Sequence, residues 1–440
     1  MAVVSANATV ETAPVSTAAP RVPILLTIAV SVAIGVAMGM VFLLFEWFVN
    51  HGDTFIWDDV FATDTHRWLV VPLAIVLSVA FSFLVRFLGQ KRIVPIHVSL
   101  LDEDQSKPIE PTSLATVGVI LAIGAASLLA GASLGPEAAL VATAMALGAW
   151  VSFRFGLSQA AQVIVLASLT ALLVAFFGSL VPLLIPPLIM YQRTKSVPLP
   201  ALVPPVLAGL AAYGTILLVR GQVDGYGSVP AGSVTGVGTY LVAIGIGICA
   251  VGVGWLLRQA IYFLSEVAKG LDARLSWPAA AALFGLILGV LYLIGGETTQ
   301  FSGSEGTKLL LSDTGYGTAA LAGIVVVKLV VTAWSLSAGY RGGLVFPSVF
   351  MGVALALFLA DLFGGTAGPG LVVGGVAGIL VEMTSPVLGL IMLLSLLPTE
   401  LLPLGVAGAF GAVLPHAIYR RVNPKPPAAA TAEPAAAPAS

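Results

Sequence analysis

Glu137 stands in "GASLGPEAAL", residues 131–140, a carboxylate beside two glycines and a proline with long apolar runs on either side. Such a group can accept hydrogen bonds, repel an approaching anion or carry a proton. The backbone around it has chemistry of its own. A helix starting at Gly135-Pro136 leaves its first amide hydrogens unpaired and carries partial positive charge there, which suits an anion. Proline costs nothing in a first helical turn. A second stretch, "GGLVFP" from Gly342 to Pro347, repeats the glycine five residues before a proline and also opens an apolar, small-residue-rich helix. Two such ends aimed at one point would hold an anion without a full positive charge. The alternative is two ordinary proline-marked helix starts at the membrane interface.

Other side chains bear on the same chemistry. Ser133 and Thr143 offer hydroxyls, although Ser and Thr in helices often bond back to their own backbone. Arg341 could lend positive potential to an anion route, or simply occupy the loop before Gly342. Glu137 reads either as a gate or proton site, or as a helix-start carboxylate that bonds exposed amides. The candidate anion pathway is therefore Ser133, Leu134, Gly135, Glu137, Arg341, Gly343, Leu344, Val345 and Phe346. Glu382, in "LVEMTSP", reads as a helix-end acid with a lysine or backbone partner. The lone cysteine, Cys249, excludes an internal disulfide, and His51, His66, His97 and His416 show no helical two-histidine spacing for zinc. No metal or other cofactor is expected. An enzyme built on Glu137 with His97 or Glu382 would need a nucleophile or metal constellation, and neither Gly-x-Ser-x-Gly nor His-Glu-x-x-His occurs.

The elements that must position these residues follow from composition. Of 440 residues 58% are hydrophobic and 9% charged, against roughly 25% charged in a soluble domain. The chain reads as an all-α polytopic membrane protein with the lipid bilayer as its environment. A formal net charge of −2 without a basic stripe excludes nucleic acid as a partner. A spanning helix needs about 20 apolar residues. Residues 23–49, 69–88, 112–130, 203–219, 240–264, 278–294 and 319–337 qualify, whereas 136–153, 160–190, 343–362 and 372–414 are cut by Gly, Pro or short polar breaks and read as broken or re-entrant helices. Residues 1–22 and the Pro/Ala-rich 423–440 read as disordered tails around a membrane domain at 23–422, with approximate halves 23–220 and 234–422.

Charge sets the expected orientation. The loop at 50–68 carries Asp53, Asp58, Asp59 and Asp64 with Arg67 as its only Lys or Arg, while 90–107 carries Lys91, Arg92 and Lys107. The first is expected outside and the second inside. Arg193, Lys195, Arg420, Arg421 and Lys425 mark further cytoplasmic ends, so both termini are expected in the cytoplasm and the protein in the plasma membrane. The Gly-to-Pro echo, and that between "FFGSLVPLLIPPLIM" and "VEMTSPVLGLIMLLS", points to an internal repeat with discontinuous helices, the sequence mark of a transport-type site.

The stretch from "GGETTQFSGSEG" through "SAGYRGGLVFPSVF" to "LADLFG" resembles the second half of the CLC chloride channel and transporter family. "KRIVPIHVSLLDEDQSKPIE", followed by "GASLGPEAALVATAMALGAW", resembles its first half. The resemblance covers about 23–422 and implies an inverted-repeat bundle that forms a homodimer, each protomer passing chloride or a similar anion. It carries side chains over unevenly. The family's Gly-Ser-Gly-Ile-Pro serine falls near Arg92 in "KRIVP", with Pro95 retained, and the gating glutamate of Gly-Lys/Arg-Glu-Gly-Pro falls on Leu134. The aromatic of Gly-x-Phe-x-Pro falls on Val345, with Phe346 next. The tyrosine of the last helix falls near Pro415, with Tyr419 close by. The inner proton glutamate falls around Met190 to Gln192, where no acid stands. The resemblance therefore implies a passive channel or uncoupled carrier. The alternatives are a proton-coupled antiporter using Glu137 as a displaced gate, and a secondary transporter of a larger solute.

Overall fold

The structure, a computed structural model, describes residues 24–58, 64–93, 109–222, 236–312 and 315–422. The two tails, Asp59, His97, Pro95 and Lys107 lie outside them, as do the side chains of Gln192, His416 and Tyr419. The described residues form fifteen α-helices. In the first half these are α1 (Ile24–Asp53), α2 (Val70–Phe87), α3 (Leu114–Leu129), α4 (Glu137–Arg154), α5 (Ala161–Phe177), α6 (Ile185–Thr194) and α7 (Leu199–Arg220). The second half holds α8 (Val237–Arg274), α9 (Trp277–Gly295), α10 (Ser304–Ser312), α11 (Thr318–Ser337), α12 (Val345–Leu362), α13 (Pro369–Met383), α14 (Pro386–Leu396) and α15 (Leu402–Val422).

Among the described residues, eight segments are long and apolar enough to cross a membrane. They differ from the sequence expectation in three places, each for a physical reason. At 16 residues, α3 is about 24 Å long, short of the roughly 30 Å hydrocarbon core. The stretch 160–190 gives a 20-residue helical segment, Ser158–Phe177, made of a short turn and α5, because its break falls late, at Gly178 in the left-handed region (φ 57°). Likewise α12 runs unbroken for 18 residues once it has started. The stretch 372–414 does break, into α13, α14 and α15. A proline begins α14 there, and the Ser385 side chain caps it by accepting the Leu388 amide.

Small residues bring the helices together, as is usual where lipid supplies no hydrophobic drive between them. In α9, Gly285 and Gly289 lie against the backbone of α2 at Ala74–Ile75 and Val71. The long α8 packs along α13 and α15 in the same way. Thirteen of the 17 residues of α5 are buried, the pattern of a helix largely enclosed by protein.

Contacts between helix ends sort the bundle into two faces. On one, Trp57 donates to the Leu129 carbonyl at the end of α3, and its ring meets Phe301 edge-on at 5.2 Å. Arg220 pairs with Glu46, near the ends of α7 and α1, and Thr318 bonds Asp361, at the start of α11 and the end of α12. On the opposite face, Arg86 at the end of α2 lies over the Trp277 ring at the start of α9. Thr27, Ala160 and Pro200, at the starts of α1, α5 and α7, line one pocket there. It follows that α4 runs toward the Arg86 face while α12 runs toward the Trp57 face. Their N-termini point at each other from opposite directions, inside the layer.

Candidate functional site

Two turns build the site. Residues 130–136 join α3 to α4, and residues 338–344 join α11 to α12. They cross at Gly135 and Gly343, where each amide donates to the other's carbonyl, Gly135 N–H at 2.9 Å and Gly343 N–H at 2.7 Å. Glycine is required at both places by close approach. A Cβ at either position would run into the Glu137 carboxyl group. Each turn is also tied to the other half's helix. The Ser133 amide donates to Ser335 Oγ at 3.0 Å, its hydroxyl lies 3.2 Å from Thr332 Oγ1, and the Arg341 amide donates to Ser127 Oγ at 2.7 Å. These bonds satisfy backbone that would otherwise be unpaired in an apolar interior.

Glu137 sits at the point of convergence. It is the first residue of α4 and 4% exposed, and its Oε1 accepts the Val345 amide, the first of α12, at 2.6 Å. The amides of Glu137 itself and of Phe346 also face the carboxylate. Its Oε2 is buried with no hydrogen-bond partner among the described residues. A negative charge at two helix N-termini is stabilised by both sets of free amides. The arrangement is a receptor for one negative charge, filled by a side chain of the protein.

The other sequence candidates separate. Leu134, Leu344, Val345 and Phe346 are buried around the crossing, and the Phe346 ring packs on Phe176 at 5.5 Å. Thr143 turns away from the crossing, its hydroxyl donating to the Ala139 carbonyl of its own helix at 2.8 Å. The Arg341 guanidinium donates to the carbonyls of Gly339, Lys91 and Arg92, each at 2.9 Å, so it ties the second turn to the end of α2. Glu382 pairs with Arg258 of α8 at 3.2 Å, an arginine in place of the expected lysine. Among the described residues no group of three His, Cys, Asp or Glu could hold a metal ion.

Arg92 is 6% exposed. Its Nε donates to the Ala338 carbonyl at the end of α11, and its Nη atoms donate to the Ser78 carbonyl and hydroxyl of α2 at 2.9 and 3.0 Å. The rings of Phe81, Phe284 and Tyr340 lie 5.1 to 5.4 Å from its guanidinium carbon. Arg92 thus holds the second turn from below. Replacing it with Met should remove three buried hydrogen bonds to a charged donor, leave the Ala338 carbonyl unpaired and cost about 3 kcal/mol. A lower thermal midpoint of the purified protein is the check; an unchanged midpoint would contradict this role.

Sequence reading missed Lys328, inside the apolar run "AGIVVVKLVV" of α11 and fully buried. The signal was present, because a lone cation in a membrane-length apolar helix is expensive and normally has a use.

Comparison with known proteins adds to this geometry. The sequence model of the family described as "Voltage gated chloride channel" matches residues 100–416. A protein of Escherichia coli O1:K1 / APEC named YfeO, whose name gives ion transport as a provisional role, is 26% identical over 360 residues, covering 78% of this chain and 81% of its own. A YfeO of Shigella flexneri matches to the same extent. Among solved structures, a CLC-type fluoride/proton antiporter superposes with a TM-score of 0.70 at 17% identity, covering 89% of this chain and 95% of its own. A slow cyanobacterial chloride/proton antiporter superposes with a TM-score of 0.73 at 17% identity, covering 89% and 94%. These likenesses establish the CLC fold.

Proposed function

The chain belongs to the voltage gated chloride channel family, and on that premise we propose that it passes chloride, or an anion of similar size, passively across a membrane with Glu137 as the gate. One observation carries the reading: the Glu137 carboxylate accepts the first amide of α12 from its place at the start of α4, and so fills the point where two helix N-termini converge. An anion entering that point meets the same amides and must displace the carboxylate. While Glu137 is charged and seated, it competes for the donors and repels the incoming ion. Protonation, or a swing of the side chain, frees the amides. Leu134, Leu344, Val345 and Phe346 form the apolar wall of this route, which leaves backbone N–H groups as its principal donors. The expected working unit is a homodimer in the plasma membrane with both termini in the cytoplasm.

Two further observations favour passive movement. No acid stands at Met190 to Gln192, and the buried Glu382 is engaged by Arg258, so neither place supplies Glu137 with a second acid to relay protons. A proton-coupled reading is favoured by the buried carboxylate itself, since a group that alternates between seated and protonated forms could exchange one proton for anions. A larger solute fits less well, because the two turns touch at Gly135 and Gly343 and close the crossing to a solute-sized group.

Purified protein in chloride-loaded liposomes separates these readings. The expected result is efflux that needs a potassium ionophore to balance charge and draws no protons uphill. Proton uptake driven by the chloride gradient, lost in Glu137→Gln, would replace the passive reading with the coupled one. Absence of efflux with chloride, nitrate and fluoride alike would remove the anion reading altogether.

A further inference from the structure

The lysine of α11 is embedded without a counter-ion. Lys328 is fully buried and takes part in none of the ion pairs among the described residues. Its Nζ donates to the Phe301 carbonyl at 2.6 Å and the Thr299 carbonyl at 3.1 Å, with the Gln300 carbonyl at 3.4 Å, and lies 5.0 Å from the centre of the Phe350 ring. An ammonium in an apolar interior is costly unless its three protons meet acceptors. Here three consecutive carbonyls of the irregular turn after α9 serve that purpose.

That turn leads to the site. Phe301 is held at φ 50°, in the left-handed region that non-glycine residues seldom adopt. Its amide donates to the Tyr292 hydroxyl at 3.0 Å, and that hydroxyl donates to the Gly131 carbonyl at 2.6 Å. Gly131 lies in the first of the two crossing turns. Thr332 and Ser335, which hold Ser133 in the same turn, stand four and seven residues beyond Lys328 and so share its face of α11. The polar stripe of α11 is thus devoted to one task. Thr332 and Ser335 grip the first turn directly, and Lys328 grips it through Phe301 and Tyr292.

We propose that Lys328 is a positioning residue for the anion site, fixing the Gly131–Pro136 turn, and with it Glu137, through the Phe301 amide and the Tyr292 hydroxyl. It makes no contact with the site itself. The inference rests on the anion-transport reading for its effect on flux, and on the structure alone for its effect on the turn.

The test uses the purified full chain with Lys328→Met, Tyr292→Phe and the double variant. Two measurements are made: hydrogen exchange of the amides at 130–137, with α5 as internal reference, and the chloride concentration giving half-maximal flux. Each single variant should raise exchange in the turn by roughly two- to tenfold and leave α5 unchanged. Half-saturation should rise by roughly two- to thirtyfold, and the double variant should be no worse than the stronger single, because both changes cut one chain of contacts. Additive effects, or exchange at 130–137 equal to the parent protein's, would overturn the proposal. A Lys328→Met protein that fails to fold leaves the decision to Tyr292→Phe, which buries no new charge; unaltered exchange there overturns the relay. A parent protein that carries no anion refutes the transport reading, while the exchange measurement still decides the relay.

Discussion

Glu137→Gln should raise chloride flux at neutral pH by roughly five- to tenfold and abolish its dependence on pH. The magnitude is the difference between a charge-assisted hydrogen bond and a neutral one, about 1–1.5 kcal/mol. The carboxylate accepts the Val345 amide at 2.6 Å in a buried setting, and the glutamine amide can keep the shape and one acceptor without the charge. The sign follows from the same geometry. Acidification protonates Glu137, weakens its hold on the α12 amides and removes its repulsion of an entering anion, so flux through the parent protein should rise as pH falls. The glutamine variant should start high and stay there. Liposome efflux measured across a pH series decides the matter, and a folded variant with the parent rate and profile would return Glu137 to the role of a helix-start carboxylate.

Gly343→Ala is expected to destabilise the protein through the site itself. The added methyl would occupy the space of the Glu137 carboxyl group, at the place where Gly343 also exchanges both backbone hydrogen bonds with Gly135. Overpacking a filled interior costs about 1–3 kcal/mol, and here the strain also pulls apart two long-range hydrogen bonds. The purified variant should melt lower and give less folded protein. Combining it with Glu137→Ala vacates the collision, so the double variant should recover most of the lost stability. Failure to recover would show that the crossing cannot tolerate a side chain for reasons unrelated to Glu137.

How much of this was legible in the sequence depends on the range of the interaction. The helix starts at residues 137 and 345 were legible, because glycine and proline act on their own backbone. So was the anomaly at Glu137, because an acid between apolar runs is costly whatever surrounds it. The meeting of the two helix starts was expected from their matched Gly-to-Pro spacing, but the mutual bonding of Gly135 and Gly343 was not, since spacing does not say which backbone groups pair. Arg341 and Arg92 looked like loop cations near a pathway, but their donors serve the carbonyls at helix ends that only the folded chain brings near. Span length was misread where the break fell elsewhere than the apolar count suggested. α3 is too short to cross, whereas the 20-residue segment Ser158–Phe177 is long enough. Lys328 was readable as an anomaly, but its three carbonyl partners belong to an irregular turn with no periodic signature.

The crossing of the two turns also bears on how the protein is made. Glu137 and Val345 are 208 residues apart in the chain, and a ribosome adds about 5–20 residues each second. The first turn therefore leaves the ribosome roughly 10 to 40 s before its partner exists. Through that interval Gly135 lacks its acceptor, Ser133 lacks Ser335, and the Glu137 carboxylate has no second helix end to face. A nascent first half therefore holds neither the crossing nor the paired helix starts until the turn before α12 has been made.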